Sequence, residues 1–302
     1  MKIKTKPQKI WYLIKETFNG FVEDNGIKLS AALSYYTIFS LPPLLLIIIS
    51  ISGIVFGADA ARGEIFGQIN VLVGNDAAIQ IQNTIKNVTL TNSNVFVTTI
   101  GIIILFIGAS GVFAEIQDSI NYIWGIKAKP NRGIIKYIYN RLMSFSMIGS
   151  MGFLLLVGLI INSLVDILNK RLGIIFHQET FILFYALNLF IVFVTITLLF
   201  VLIFKTLPDG KIAFRDCFIG ASFTAFLFMI GKFAIGFYLE SYNIASIYGA
   251  AGSIIIILIW VYYSAIILYF GAEFTKVYAL THGQKIIPNA YSVQITKEKE
   301  II

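Results

Sequence analysis

Long apolar stretches separated by short polar intervals make up most of the chain. Six of them reach about 18 residues, the length that a helix needs to cross the hydrocarbon core of a bilayer. A helix satisfies its backbone polar groups internally, so this pattern predicts an all-α, polytopic integral membrane protein. The predicted spans are Leu33–Phe56, Val95–Ala114, Phe145–Leu164, Phe181–Phe204, Cys217–Leu239 and Ser253–Lys276.

The interval 57–94 is long for a connection inside a helical bundle. Apolar residues recur there at helical spacing, which predicts short amphipathic helices on the outer leaflet. We therefore expect a bundle of six transmembrane helices with an outer amphipathic segment between helices 1 and 2. The expected parts are a basic cytoplasmic N-terminal segment (1–32), a transmembrane domain (33–278) and a cytoplasmic tail (279–302). The sequence shows no evident internal repeat.

Composition and charge support this interpretation and add an orientation. Only 13% of the 302 residues are charged and the mean hydropathy is +0.82, whereas soluble domains carry about 25% charged residues. Eighteen Lys and Arg lie in the N-terminal segment, in alternate loops and in the tail, against four in the other loops. This bias predicts that both termini are cytoplasmic. The net charge of +7 then reflects topology, and we expect no nucleic-acid partner.

A proline pair lies in the first span, in the stretch LSYYTIFSLPPLLLIIISISG. If the membrane helix begins near Leu41, Pro42 and Pro43 occupy its first turn, where a missing N–H costs nothing, and 27–39 forms a separate interfacial helix. Alternatively, one long helix is kinked at the pair, and hydroxyls such as that of Tyr36 satisfy the exposed carbonyls. Broken helices of the second kind are common at transporter binding sites.

Ionisable side chains in or beside the spans are the other candidate site residues. Glu115 and Asp118 are three residues apart on one helix face, where they could share a proton or bind a cation, or could instead be neutralised by nearby basic residues. Lys232 lies within a span and should snorkel to headgroups, meet an anionic substrate or form an ion pair. Tyr263 lies in the middle of the last span, where its hydroxyl needs a partner.

Small residues in the spans suit close helix packing. The glycines for which we predict this role are Gly108, Gly111, Gly149 and Gly152.

The sequence contains no motif for metal binding or for catalysis. Its single cysteine, Cys217, excludes an intrachain disulfide, and its two histidines stand far apart. A metal-dependent nuclease needs clustered carboxylates or histidines. We therefore predict no metal, no cofactor and no enzymatic activity.

Three stretches resemble the YihY / virulence-factor BrkB family of bacterial inner-membrane proteins. They are AALSYYTIFSLPPLLLIII, GASGVFAEIQDSINYIWGI and YGAAGSIIIILIWVYYSAIILYFGAEFTKVYA, and the resemblance covers about residues 15–282. It implies six helices and a plasma-membrane location. Some members carry a ribonuclease BN label, which the missing ligand motifs argue against here, while others are linked to lipid export or transport.

Two functions are compatible with these features. One is a transporter or lipid-handling protein whose candidate path includes Pro42, Pro43, Glu115, Lys232 and Tyr263. The other is a membrane scaffold that binds a partner. Membrane lipids, a second copy of the chain or other envelope proteins are the expected partners.

Overall fold

The computed structural model describes residues 6–40, 79, 111–129, 179–241, 252–282, 285–290 and 292–295. Helices dominate these ranges, and four short strands accompany them. In chain order the elements are α1 (Lys6–Glu23), α2 (the helical stretch 26–40), α3 (111–123), β1 (Ile126–Ala128), α4 (Glu179–Thr206), β2 (Gly210–Lys211), α5 (Phe214–Ser241), α6 (Gly252–Thr281), β3 (Ile287–Pro288) and β4 (Ser292–Gln294).

Three helices among the described residues are long and apolar enough to cross a membrane. Their qualifying segments are Leu189–Thr206 in α4, Phe214–Ile235 in α5 and Ile255–Thr281 in α6. These segments overlap the last three spans predicted from the sequence. The earlier spans, the outer amphipathic segment and Pro42 and Pro43 lie outside the described residues, apart from 33–40, 79 and 111–114.

A two-residue turn, Asp24 and Asn25, forms the corner between α1 and α2. The chain leaves α1 through Asp24, whose amide donates to the Gly20 carbonyl over 2.8 Å, and Asn25 adopts a left-handed conformation with φ of 54°. Asparagine tolerates this conformation better than most residues, so it ends one helix and lets the next begin. Beyond the corner, the hydroxyls of Ser34 and Thr37 bond to carbonyls four residues earlier in α2.

The chain divides into two compact units, described separately below. The first comprises 1–17, 124–230 and 271–302, and the second comprises 18–123 and 231–270.

In the first unit, α5 and α6 approach each other through two glycines and two threonines. A Cβ on Gly220 would overlap the side chain of Thr275, and a Cβ on Gly271 would overlap that of Thr224. Along α5, Gly220 comes before Thr224, but its partner Thr275 comes after Gly271 along α6. The two helices therefore run antiparallel here. Only glycine lets the opposing threonine sit directly against the backbone.

The same contact brings together two copies of a similar five-residue motif. The residues are GASFT at 220–224 and GAEFT at 271–275, and both alanines are fully buried. The phenylalanines, Phe223 and Phe274, stack with ring centroids 3.9 Å apart. This match is far shorter than the internal repeats of carriers and does not test the expectation that the sequence shows no such repeat. The match was inconspicuous because it is five residues long and becomes meaningful only when the two copies pack together.

Four short strands connect the loops of the first unit, where an all-α fold was expected. β1 pairs antiparallel with β4, and β2 pairs antiparallel with β3. The Asp209 carbonyl accepts bonds from the Asn289 amide and the Ser292 hydroxyl, each over 2.8 Å. Connections that are too short to form helices thus satisfy their backbone groups by pairing with the C-terminal tail.

Trp124 connects the paired strands to α6. Its indole N–H donates to the Ala272 carbonyl over 3.1 Å, and its own carbonyl accepts from the Gln294 side chain over 3.0 Å. The neighbouring Gly125 has φ of 66° and accepts a bond from the Ile295 amide over 2.7 Å. Trp124 is 2% exposed, so it is a core residue of this unit.

The Gly–Thr contact predicts a loss of stability when its space is filled. We expect Gly271→Ala to lower the free energy of unfolding by about 1–3 kcal/mol, because the new methyl group meets Thr224, whose hydroxyl is held by the Gly220 carbonyl. Denaturation in detergent would measure the change. Ser222→Ala, at the variable position of the motif, is the control and should change stability little. Equal stability of the two variants would contradict the packing argument.

Candidate functional site

The candidate site of the second unit is built on α3. Glu115 and Asp118 lie one turn apart on this helix, Glu115 half-buried and Asp118 exposed. Ser119, one turn after Glu115, is 2% exposed and donates a long hydrogen bond of 3.4 Å to the Glu115 Oε1. The carboxylate of Glu115 is therefore partly withdrawn from solvent and held by one hydroxyl.

Tyr269 of α6 adds a buried phenol to this group. Its side chain is 0% exposed, and its hydroxyl has no hydrogen-bond partner among the described residues. The Ser119 hydroxyl and the carboxylates of Glu115 and Asp118 are close enough to act on it electrostatically, but none of them has hydrogen-bond geometry to it. A buried hydroxyl without a partner costs about 1–3 kcal/mol, so its position suggests a site that another polar group or a water molecule completes.

Burial and charge both act on the Glu115 carboxyl. Burial raises its pKa above the ordinary value of 4.5, and the nearby Asp118 carboxylate raises it further, while the Ser119 hydroxyl lowers it. Desolvation and a like charge both disfavour the ionised form. Glu115 is thus a carboxyl that takes up a proton more readily than one in water.

Glu273 of the first unit shows how a structural carboxylate is accommodated. It is 1% exposed, and its Oε1 lies 2.9 Å from the Lys276 Nζ, with its Oε2 at 3.1 Å from the same nitrogen. A cation on the next turn of the helix compensates its burial. Glu115 differs, because the neighbouring charge that acts on it is a second carboxylate.

Two other predicted residues lie together on α5 and α6. The Tyr263 side chain fills the space beside Gly231 so closely that a Cβ there would overlap the phenol, and its buried hydroxyl also lacks a partner among the described residues. The next residue, Lys232, is exposed. No ion pair of Lys232 occurs within the described ranges, which agrees with a side chain that reaches outward from the helix.

The remaining predicted residues fall into two groups. Tyr36 is 47% exposed and packs edge-on against Tyr35 at 6.0 Å between ring centroids. Gly111 lies so close to α2 that a Cβ there would be 3.0 Å from the Ser40 Oγ, in keeping with a packing role. The other residues, for which no position is described, are Pro42, Pro43, Gly108, Gly149 and Gly152.

Sequence reasoning found Glu115 and Asp118 but missed Ser119 and Tyr269. The spacing of Ser119, four residues after Glu115, was a usable signal because residues so spaced are neighbours on a helix. Tyr269 gave no signal, since its relation to α3 depends on tertiary packing. Across the described ranges, no group of three His, Cys, Asp or Glu side chains could hold a metal ion.

The raised pKa of Glu115 predicts a pH-dependent stability. Folding favours the protonated carboxyl, so this stabilisation is complete below about pH 4.5 and is lost as pH rises through the folded-state pKa. We expect Glu115→Gln, which resembles the protonated form, to unfold at a higher temperature than the wild type at pH 8. The difference should shrink toward acidic pH.

Glu23→Gln, at an exposed position of α1, is the control for removing one carboxylate. Thermal unfolding in detergent across this pH range would measure both variants. A Glu115→Gln variant less stable than the wild type at pH 8 would show that the fold requires the carboxylate.

Comparisons with known proteins identify relatives of the chain. It is 25% identical over 283 residues to YfkH of Bacillus subtilis, which is named a ribonuclease-like protein, and the match covers 91% of this chain and 97% of that protein. It is 27% identical to a UPF0761 membrane protein of Acinetobacter baylyi, over 92% of this chain and 65% of that one. A UPF0761 membrane protein of Pseudoalteromonas atlantica is 29% identical, over 86% and 84%.

The chain spans only 50–65% of the length of several relatives. No solved structure matches it. The sequence profile described as virulence factor BrkB matches residues 17–292, which is most of the chain. Together with three helices able to cross a membrane, this match shows that the chain is a membrane protein belonging to the virulence factor BrkB family.

Proposed function

We propose that the chain is a transporter or lipid-handling protein of the plasma membrane, with six transmembrane helices and both termini in the cytoplasm. The charge bias of the loops supports the orientation, since basic residues favour the cytoplasmic side. Three described helices of suitable length support the spanning architecture. Its partners in this proposal are membrane lipids.

The observation that carries the proposal is the group of Glu115, Ser119 and Tyr269. Ionisable and polar groups buried among apolar helices are costly, and in membrane proteins they mark substrate or ion pathways by default. Here the Ser119 hydroxyl offsets only part of the cost, because the phenol of Tyr269 lacks a hydrogen-bond partner among the described residues and a second carboxylate lies near Glu115. A polar solute, an ion or a lipid headgroup passing this point would supply the missing interactions.

Lys232 supports a lipid as the substrate. An exposed lysine on an apolar helix can extend its stem along hydrocarbon and place its ammonium group at the phosphates. Arg215 and Asp216 stand in the first turn of α5, and Lys232 lies more than four turns farther along the helix. It is therefore suited to contact an anionic headgroup.

Lipid movement in proteoliposomes tests the proposal. Fluorescent anionic and zwitterionic phospholipids would be placed in both leaflets, and a membrane-impermeant quencher added outside. We expect quenching beyond the outer-leaflet fraction for the wild type and a several-fold slower rate for Lys232→Ala and for Glu115→Gln. Lys211→Ala, which removes an exposed lysine from β2, is the matched control and should behave as the wild type.

A plateau at the outer-leaflet fraction for every lipid would reject unassisted translocation of those lipids. If a second protein copurified in a fixed ratio in that case, the chain would act as a scaffold. Slowing by Lys211→Ala as strong as by Lys232→Ala would show that the effect is one of general charge.

We also propose that the chain is not an enzyme, although YfkH is named ribonuclease-like. The purified protein should leave labelled single-stranded RNA intact in the presence of Mg²⁺ or Zn²⁺. Cleavage that tracks the protein through purification and disappears on its removal would overturn this expectation.

A further inference from the structure

The N-terminal helix α1 carries an apolar stripe that the rest of the described structure leaves uncovered. Its members are spaced three or four residues apart and therefore share one face of the helix. They are Trp11, Ile14, Phe18 and Val22, with exposed fractions of 70%, 40%, 60% and 58%. Four large apolar side chains aligned and exposed in this way mark a surface that contacts something apolar.

A second face of the same helix is packed inside the protein. Thr17 is 0% exposed and Phe21 is 5% exposed, and the Phe21 ring meets Phe270 edge-on at 5.7 Å between centroids. The core-facing side of α1 is therefore the side of Thr17 and Phe21, and the exposed stripe is a separate apolar surface. It lies beside an already buried face, and the polar residues such as Asn19 lie on the remaining side.

The charges of the N-terminal segment indicate what contacts the apolar stripe. Residues 1–23 contain five lysines, all within the first 15 positions, and two acidic residues, Glu16 and Glu23. Lys9 and Lys15 are exposed on α1 itself. A basic amphipathic helix with tryptophan and phenylalanine on its apolar side has the composition of helices that lie in the membrane interface. Tryptophan prefers the headgroup level, and lysine is attracted to anionic lipids.

We propose that α1 lies flat in the headgroup region of the membrane, with its Trp11–Val22 stripe inserted among acyl chains and its lysines bound to anionic phospholipid headgroups. Because α1 belongs to a chain that spans the bilayer, it always lies close to the membrane surface. This inference concerns attachment to lipid and holds whether or not the protein transports anything.

Spin labels at adjacent positions test the insertion. With Cys217, the only cysteine, replaced by alanine, labels would be placed by Phe18→Cys on the stripe and by Asn19→Cys on the polar side, in the full chain in vesicles. We expect the label at 18 to collide with dissolved oxygen several-fold more often than with a water-soluble nickel complex. The label at 19 should show the reverse preference.

The result can overturn the proposal in two ways. A label at 18 as accessible to nickel as the label at 19 would show that the stripe faces water. A label at 18 that is immobile and inaccessible to both reagents would show that protein covers the stripe, as a second copy of the chain would.

The anionic headgroups are tested with the same labels. We expect the label at 18 to lie deeper in vesicles of phosphatidylcholine mixed with phosphatidylglycerol than in pure phosphatidylcholine, and Lys9→Gln combined with Lys15→Gln to abolish most of this difference. Equal depth in both vesicles would overturn the role of the lysines. Since no transported substrate enters either measurement, a failed lipid-translocation assay would leave these outcomes unaffected.

Discussion

The close approach of α5 and α6 is the contact on which the first unit depends. In a membrane the hydrophobic effect does little to bring apolar helices together, because lipid tails are as apolar as the side chains. Van der Waals contact between closely spaced backbones must replace it, and Gly220 and Gly271 provide the necessary space. Each threonine in turn bonds to the carbonyl of the glycine on its own helix over 2.7 Å. Its hydroxyl is therefore satisfied before the helices meet, and its side chain packs as an apolar group would.

The paired strands add order where the helices end. The turn between α4 and α5 holds Asp209, whose carbonyl receives two bonds from the tail, and Lys205 at the end of α4 donates to the Ile212 carbonyl in the same turn. The tail also pairs with the segment that follows Trp124. Because most of these bonds use backbone groups, the arrangement depends on chain geometry more than on side-chain identity. It fixes the ends of apolar helices without placing polar groups inside them.

Sequence patterns predicted the last three membrane helices well and the contacts of the described helices poorly. The last three spans were predicted near the positions at which α4, α5 and α6 occur, since an uninterrupted apolar stretch is a property of the local sequence. The GASFT and GAEFT match was legible in the sequence, but its meaning required the two copies to face each other. Tyr269 could not be identified from its position alone, because an apolar span with several tyrosines gives no indication of which phenol will face a carboxylate. The strands were missed because two or three residues are too few to show an alternating pattern.

Three buried side-chain atoms of the described residues lack a hydrogen-bond partner: Oδ2 of Asp216 and the hydroxyls of Tyr263 and Tyr269. Side-chain reach explains why two of the three are tyrosine hydroxyls. Eleven Ser and Thr side chains of the described helices bond to the carbonyl four residues earlier, a geometry that a short hydroxyl side chain can always attain. They are Thr17, Ser30, Ser34, Thr37, Thr195, Thr197, Thr206, Thr224, Ser264, Thr275 and Thr281.

A tyrosine hydroxyl stands too far from its own backbone for this solution and must find its partner elsewhere. Within the described residues Tyr263 and Tyr269 find none, but their surroundings differ. The phenol of Tyr263 is pressed against Gly231, which leaves little room beside it. That of Tyr269 lies within electrostatic range of the Ser119 hydroxyl and of two carboxylates, so a proton, a water molecule or a polar ligand beside it would meet other polar groups. Of the two tyrosines whose hydroxyls their own helix cannot satisfy, Tyr269 is therefore the better placed to serve a function.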